Sequence, residues 1–274
     1  MTAGPRSCHT RAVNIKVPPV PVPAATVVLL RDRAGGGPEL LLIRRHSASK
    51  FAAGDHVFPG GKISAADTPP DAAQWCRGLD LEEASRRLGL APDAALAHWV
   101  GAIRETFEEV GLLLAYDARG EPVRVDAPRF AGYRAECQAS SHAFWDMVRA
   151  ERLTLATERL MYFAHWITPE EQPLRFDTRF FAAAMPPGQE AVADLKEITE
   201  VRWLEPPEAL AAAKRAEISL RNATARNVEL FVGATSARDA VERVAGREIR
   251  TIRPRMVLEN GQRRVLMPDD PDWY

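Results

Sequence analysis

The sequence predicts an α/β fold, on three observations. Short β-branched and aromatic runs recur through the chain, amphipathic helical stretches lie between and after them, and Pro/Gly punctuation separates the two kinds. The run Ala24 to Leu30 and, after the turn "RDRAGGGPE", the run Leu40 to Ile43 read as two strands. "FPGGK" follows as a tight irregular turn, where glycine lets backbone approach a ligand closely. "DLEEASRRLGL" is helical, with Gly89 and Pro92 as breakers. A longer helix is expected over Ala94 to Val110, with Val100, Ile103, Phe107 and Val110 as its buried stripe and Gly111 as its left-handed stop. "RLMYFAHWIT", "RFDTRFFAAAMP" and "ITEVRWL" read as further strands. "PPEALAAAKRAE" starts a helix on its prolines, "RNVELFVG" and "ARDAVERVAG" are helical, and "MVLENGQRRVLM" is a hairpin turning on Asn260-Gly261. These elements divide the chain into an extended tail over 1–23, a main domain over 24–205, and C-terminal helices with a terminal hairpin over 206–274, packed on that domain.

The chain has 274 residues, 46% hydrophobic, with 36 Lys and Arg against 37 Asp and Glu. A formal net charge of -1 supplies no basic field for nucleic acid, so none is expected as a partner. Cys8, Cys76 and Cys137 are odd in number and far apart, which argues against a disulfide framework or a zinc site and for a reducing cytoplasm. No run reaches the ~18 apolar residues of a membrane helix, and the N-terminus lacks a signal-type apolar core, so no membrane is expected.

Within this neutral chain, "RETFEEVGL" crowds three carboxylates into five residues. On a helix Glu105, Glu108 and Glu109 converge within one turn, where like charges repel. A solvated helix face with Arg104 offsetting Glu108 is one explanation. The other is a hard divalent cation, Mg2+ or Mn2+, which takes oxygen ligands and bridges to substrate phosphates. The amphipathic helix and the preceding "PGGK" turn favour the cation. A di-iron bundle is excluded, since no Glu here has a His three residues later.

"GGKISAAD" followed by "RETFEEVGL" resembles the signature of the Nudix hydrolases. Gly61, Arg104, Glu105, Glu108, Glu109, Gly111 and Leu112 take the family positions, and Thr106 stands where an aliphatic residue is usual. Asp67 replaces the family glutamate, and 36 residues separate it from Arg104 in place of the usual seven. An insertion at this point is similar to that of the peroxisomal acyl-coenzyme A diphosphatase branch, as are "GDHVFPGGKISAAD", "RFDTRFFAAAMP" and "ITEVRWL". The resemblance implies an α/β/α sandwich with a mixed sheet, a helical insertion over about 68–96 and a mainly helical C-terminal extension.

It also implies site roles. Glu108 and Glu109 would bind Mg2+ or Mn2+, Glu105 would be a third ligand or would activate water, and Arg104 would orient the glutamates. Gly60 or Gly61 would bring a backbone carbonyl near the metal, and Asp67 would support the site from behind. A further carboxylate is expected from Glu190, Asp194 or Glu197, with Glu197 chosen as a catalytic group. Lys50, Arg44 and Arg179 are the substrate-binding candidates, together with Gly61; Arg45 is the alternative to Arg44. The substrate implied is coenzyme A or acyl-coenzyme A, cleaved to 3',5'-ADP and the 4'-phosphopantetheine product. ADP-ribose, NADH or another nucleoside diphosphate derivative, and a noncatalytic nucleotide-binding module, stay open beside it. So does a homodimer.

Overall fold

The computed structural model describes residues 17–49, 51–259 and 262–270. Lys50, the Asn260-Gly261 turn and most of the expected tail lie outside the described residues. The chain runs through β1 (Val22–Asp32), β2 (Pro38–Arg45), β3 (His56–Val57), β4 (Gly60–Lys62), α1 (Leu81–Leu88), α2 (Pro92–Val110) and β5 (Ala115–Tyr116). It continues with α3 (Pro128–Ala139), α4 (His142–Ala150), β6 (Thr154–Leu155), β7 (Met161–Ile167), β8 (Phe176–Ala184) and β9 (Ile198–Leu204). The last elements are α5 (Pro206–Lys214), α6 (Asn222–Glu229), α7 (Ala237–Val244), β10 (Thr251–Ile252), β11 (Arg255–Glu259) and β12 (Gln262–Leu266).

One sheet organises the molecule, with strands in the order β10-β7-β8-β1-β2-β3 and with β4 added to β1 and β9 to β2. It is mixed, since β1 pairs with β8 in parallel and with β2 and β4 antiparallel. Alternation along β1 and β2 explains the layers. Val27, Leu29, Leu41 and Ile43 face one core with Trp99, Ile103, Phe107 and the α3–α4 pair, whereas Val28, Leu30, Leu40 and Leu42 face a second core with Phe231, just past α6, and Ala240 and Val244 of α7. Both faces of the sheet are therefore covered, and the α/β/α sandwich stands.

Helix α2 starts on Pro92 and ends at Gly111, whose φ of 72° is the expected left-handed stop. It is buried on more than one stripe: Arg104 and Glu109 are buried along with the apolar positions. The insertion is partly a prolongation of this helix, since "AALAHWV" lies inside α2. Its remainder is a short 3-10 turn and α1, which Asp80 caps through the Glu83 N–H at 2.7 Å. Ala84 and Leu88 of α1 join the same core as α2. Among the described residues no helix is long and apolar enough to cross a membrane.

Candidate active site

The turn that follows β4 fixes Asp67 before the insertion begins. Ser64 and Asp67 form a capping box, with the Ser64 N–H donating to Asp67 Oδ2 at 2.7 Å and the Ala66 N–H donating to Ser64 Oγ at 3.1 Å. Asp67 is thereby aimed at α2, where Arg104 Nε donates to its Oδ1 at 2.6 Å and Arg104 Nη2 to its Oδ2 at 3.2 Å. The shorter aspartate reaches. This fork-to-fork pair sits away from water, with Asp67 1% and Arg104 3% exposed. Arg104 also donates to Lys62 O at 2.9 Å, Glu105 Oε1 at 2.9 Å, and both Glu108 oxygens at 3.2 Å. Burial penalises its charge, yet its guanidinium is held above its ordinary pKa because the bond it donates to Asp67 and the charges of Glu105, Asp67 and Glu108 outweigh that penalty.

The glycines bring β4 against the same helix turn. The Gly60 N–H donates to Glu109 Oε2 at 2.8 Å, and Gly60 holds a φ of 150° that L side chains rarely adopt. Glu109 is buried and also lies 3.7 Å from Arg45 Nη1. Burial raises the pKa of Glu105, Glu108 and Glu109, reaching about 7 at Glu108. Mutual repulsion adds to it, because Glu105 pushes up both neighbours and Glu197 pushes up Glu105 and Glu109.

Two polar side chains that sequence reading missed hold the C-terminal end of α2. Arg134 of α3 donates from Nε to Glu108 O at 3.0 Å and from Nη2 to Glu109 O and Val192 O, each at 2.8 Å. Gln138 donates to Glu108 O at 2.8 Å. A cation on the last carbonyls of a helix satisfies unpaired acceptors and opposes the helix dipole. The only sequence signal was an arginine four residues before a glutamine, on a helix with no strong apolar stripe.

Glu105, Glu108 and Glu109 open into a cleft of about 1040 Å³ that also takes in Gly60, Gly61, Arg45, Asp194 and Glu197. Glu197 is exposed, and its carbonyl accepts from the His46 N–H at 2.8 Å, which ties its loop to the end of β2. Glu190 instead lines a separate hollow beside Arg134.

Two substrate-binding candidates are corrected. Arg44 faces away from the cleft: alternation along β2 puts Arg45 on the same side as Leu41 and Ile43, towards α2, and Arg44 opposite Glu200 of β9. Arg179 is buried on the α2 side of the sheet, the side of Phe181 and Ala183, and does not line the cleft. Phe176, Thr178 and Phe180 of β8 line the cleft, so Asp177 and Arg179 point the other way, where Arg179 pairs with Asp177 and Asp177 meets His165 Nε2 at 2.6 Å. Lys50 lies outside the described residues.

Among the described residues no three His, Cys, Asp or Glu side chains are gathered closely enough to hold an ion as they stand, because Arg104 engages two of the glutamates. The donor set nevertheless fits a hard divalent cation. It is all oxygen, anionic, and costly to leave charged without a counter-ion.

The family model described as the NUDT19 Nudix domain matches residues 84–228, beginning inside the insertion. Acyl-coenzyme A diphosphatase NUDT19 of Xenopus laevis is 28% identical over 207 residues, covering 63% of this chain and 54% of that protein. The Gallus gallus protein of the same name is 30% identical over 227 residues, covering 66% and 58%. The chain thus spans little more than half the length of these relatives. A crystal structure of a NUDIX hydrolase from Alicyclobacillus acidocaldarius superposes with a TM-score of 0.70 at 26% identity, covering 84% of this chain and 99% of that one. With the buried Asp67–Arg104 pair, the three glutamates on α2 and a family match over more than half its length, the chain belongs to the Nudix hydrolase family, in the group of the NUDT19 Nudix domain.

Proposed function

We propose that the chain hydrolyses the diphosphate of coenzyme A or acyl-coenzyme A to 3',5'-ADP and (acyl-)4'-phosphopantetheine, with Mg2+ or Mn2+ at the α2 carboxylates. The observation that carries this reading is the convergence of Glu105, Glu108, Glu109 and Glu197 on one cleft of a size suited to a nucleotide-bearing ligand. The names of the relatives support the substrate class. A cytoplasmic setting is part of the proposal, supported by the unpaired Cys76 and Cys137.

In this reading Glu105, Glu108 and Glu109, together with the Gly60 carbonyl, would hold the cation. Arg104, anchored by Asp67, keeps Glu105 and Glu108 in place. A bound divalent cation polarises a phosphoryl oxygen and lowers the pKa of water. Glu197 takes the proton of the attacking water as its oxygen bonds to one phosphorus; the anhydride P–O bond breaks and the second phosphate leaves. Arg45, which lines the cleft beside Glu109, would offer its guanidinium to the substrate's anionic oxygens, and Gly61 lies at the same edge.

The test is incubation of the purified protein with coenzyme A, an acyl-coenzyme A, ADP-ribose and NADH, with and without Mg2+ or Mn2+, and identification of products by mass spectrometry. Metal-dependent 3',5'-ADP from the coenzyme A compounds, lost in Glu108→Gln, is expected. AMP from ADP-ribose and NADH alone would replace the substrate, and silence across the panel together with retained nucleotide binding would replace catalysis by a binding role.

A further inference from the structure

The cleft has two chemically different ends. One holds the carboxylates; at the other, Trp166, Phe176 and Phe180 of the sheet meet Pro254, Met256 and Val265 from the last part of the chain. Those three fall outside the residues matched by the family model, so the match assigns them nothing.

Met256 and Val265 are cross-strand partners in the β11–β12 hairpin and therefore share one face. Leu258, two positions beyond Met256, lies on that same face and is 76% exposed. An aliphatic row thus runs from inside the cleft outwards along the hairpin. The base of the hairpin is fixed. The Met256 N–H donates to Glu171 Oε2 at 3.1 Å, Gln172 Nε2 donates to Met256 Sδ at 2.7 Å, and Leu266 and Met267 are buried beneath. Phosphates gain nothing from such a row, and an adenine ring would find its stacking partners among the aromatic residues opposite. An alkyl chain gains along its whole length, about 0.8 kcal/mol for each methylene taken from water.

Resting on the coenzyme A reading above, we infer that the hairpin face carrying Met256, Val265 and Leu258 is the wall that binds the alkyl chain of an acyl thioester substrate and sets the chain lengths accepted. The acidic end then holds the diphosphate while the hairpin selects among acyl groups. Leu258 sits at the outer end of the row, so it serves long chains, and Met256 serves chains of every length beyond the shortest.

The experiment measures kcat/KM for acetyl-, octanoyl- and palmitoyl-coenzyme A with the unmutated protein, Leu258→Asp and Met256→Trp. Leu258 is exposed, so its replacement leaves the core untouched. Loss of contact with two methylenes corresponds to about tenfold. Leu258→Asp is expected to lower the palmitoyl value by about tenfold relative to the acetyl value, and Met256→Trp to lower octanoyl and palmitoyl together by a similar factor. Equal effects on all three substrates would overturn the hairpin's role while leaving the coenzyme A reading in place. Binding of cis-parinaric acid, a fluorescent long-chain fatty acid, decides the wall without turnover. Saturable binding weakened by both substitutions supports it even if no coenzyme A compound is cleaved; absence of saturable binding refutes it.

Discussion

A side-chain carbon on Gly61 would fall 2.5 Å from the Cδ and Oε2 of Glu105, so the glycine is the surface against which this carboxylate rests. Gly61→Ala must therefore displace Glu105, the far end of a flexible side chain, and leaves the sheet intact. Turnover is expected to drop by at least about tenfold, equivalent to ~1.4 kcal/mol, with near-native stability. Steady-state kinetics beside a urea titration would check both halves.

Gly60→Ala is expected to behave in the opposite way. Its added carbon would meet Ala25 O at 2.3 Å and the Thr26 Cα at 2.6 Å, both backbone atoms of the central strand, and the φ of 150° adds strain. A stability loss above ~2 kcal/mol is expected, the range of overpacking and backbone strain. An unchanged urea midpoint would contradict the close packing of β4 on β1.

Asp67→Ala removes the partner of a buried guanidinium. Breaking this buried pair should cost up to ~3–5 kcal/mol, the remaining bonds to Glu105 and Glu108 offsetting part of the charge, and Arg104 should pull both glutamates towards itself. Chemical denaturation and Mn2+ titration by calorimetry should show weaker folding and weaker cation affinity in the same variant.

Stability of the cation-free protein should fall as pH rises. Burial lifts Glu108 to about 7, against Arg104 and with help from Glu105, while in the unfolded chain it titrates at its ordinary value of 4.5. Between those values the folded state holds a proton that the unfolded state has released, so unfolding becomes easier up to pH 7 and the effect levels off above it. Between pH 5.5 and 8 the loss from this group is on the order of 2 kcal/mol. Melting curves at pH 5.5 and 8 should show it, Glu108→Gln should flatten it, and Mg2+ should restore more at pH 8, where the carboxylates are free to bind.

Arg45 and Arg44 offer a paired comparison. Arg45→Ala removes the cation 3.7 Å from Glu109 and should raise KM several-fold, while Arg44→Ala, on the far side of β2, should change neither KM nor kcat. Equal effects from the two would contradict the strand register.

Most strands, the stop of α2 at Gly111 and the acidic cluster were legible in the sequence, because period-two and helical patterns and the glycine stop are local signals. Helices α3 and α4 were not read at all. Their task is to cover α2, and Arg134 acts through backbone carbonyls of residues 108, 109 and 192, which leave no trace in side-chain pattern. Arg44 and Arg45 could not be told apart until strand pairing fixed the face of each. Arg179 was misassigned because an alternating Arg-Phe-Asp-Thr-Arg-Phe strand presents chemistry on both faces, and only the position of the cleft decides which one matters. The apolar end of the cleft was missed because its two walls are about 80 residues apart, between Phe176 and Met256.

The pairing of Asp67 with Arg104 across the insertion bears on how such a site tolerates added chain. Closing a flexible loop of 36 residues rather than seven costs only ~1.5 kcal/mol more, since the entropy of closure grows with the logarithm of length. Here even that is an upper figure, because α1 orders part of the loop and buries Ala84 and Leu88 in the shared core. The two halves of the motif are joined by geometry and ionic contact, and their distance along the chain is nearly free to drift. A search for this site by fixed spacing would pass over it, whereas a search for a buried Asp–Arg fork behind three helical glutamates would find it.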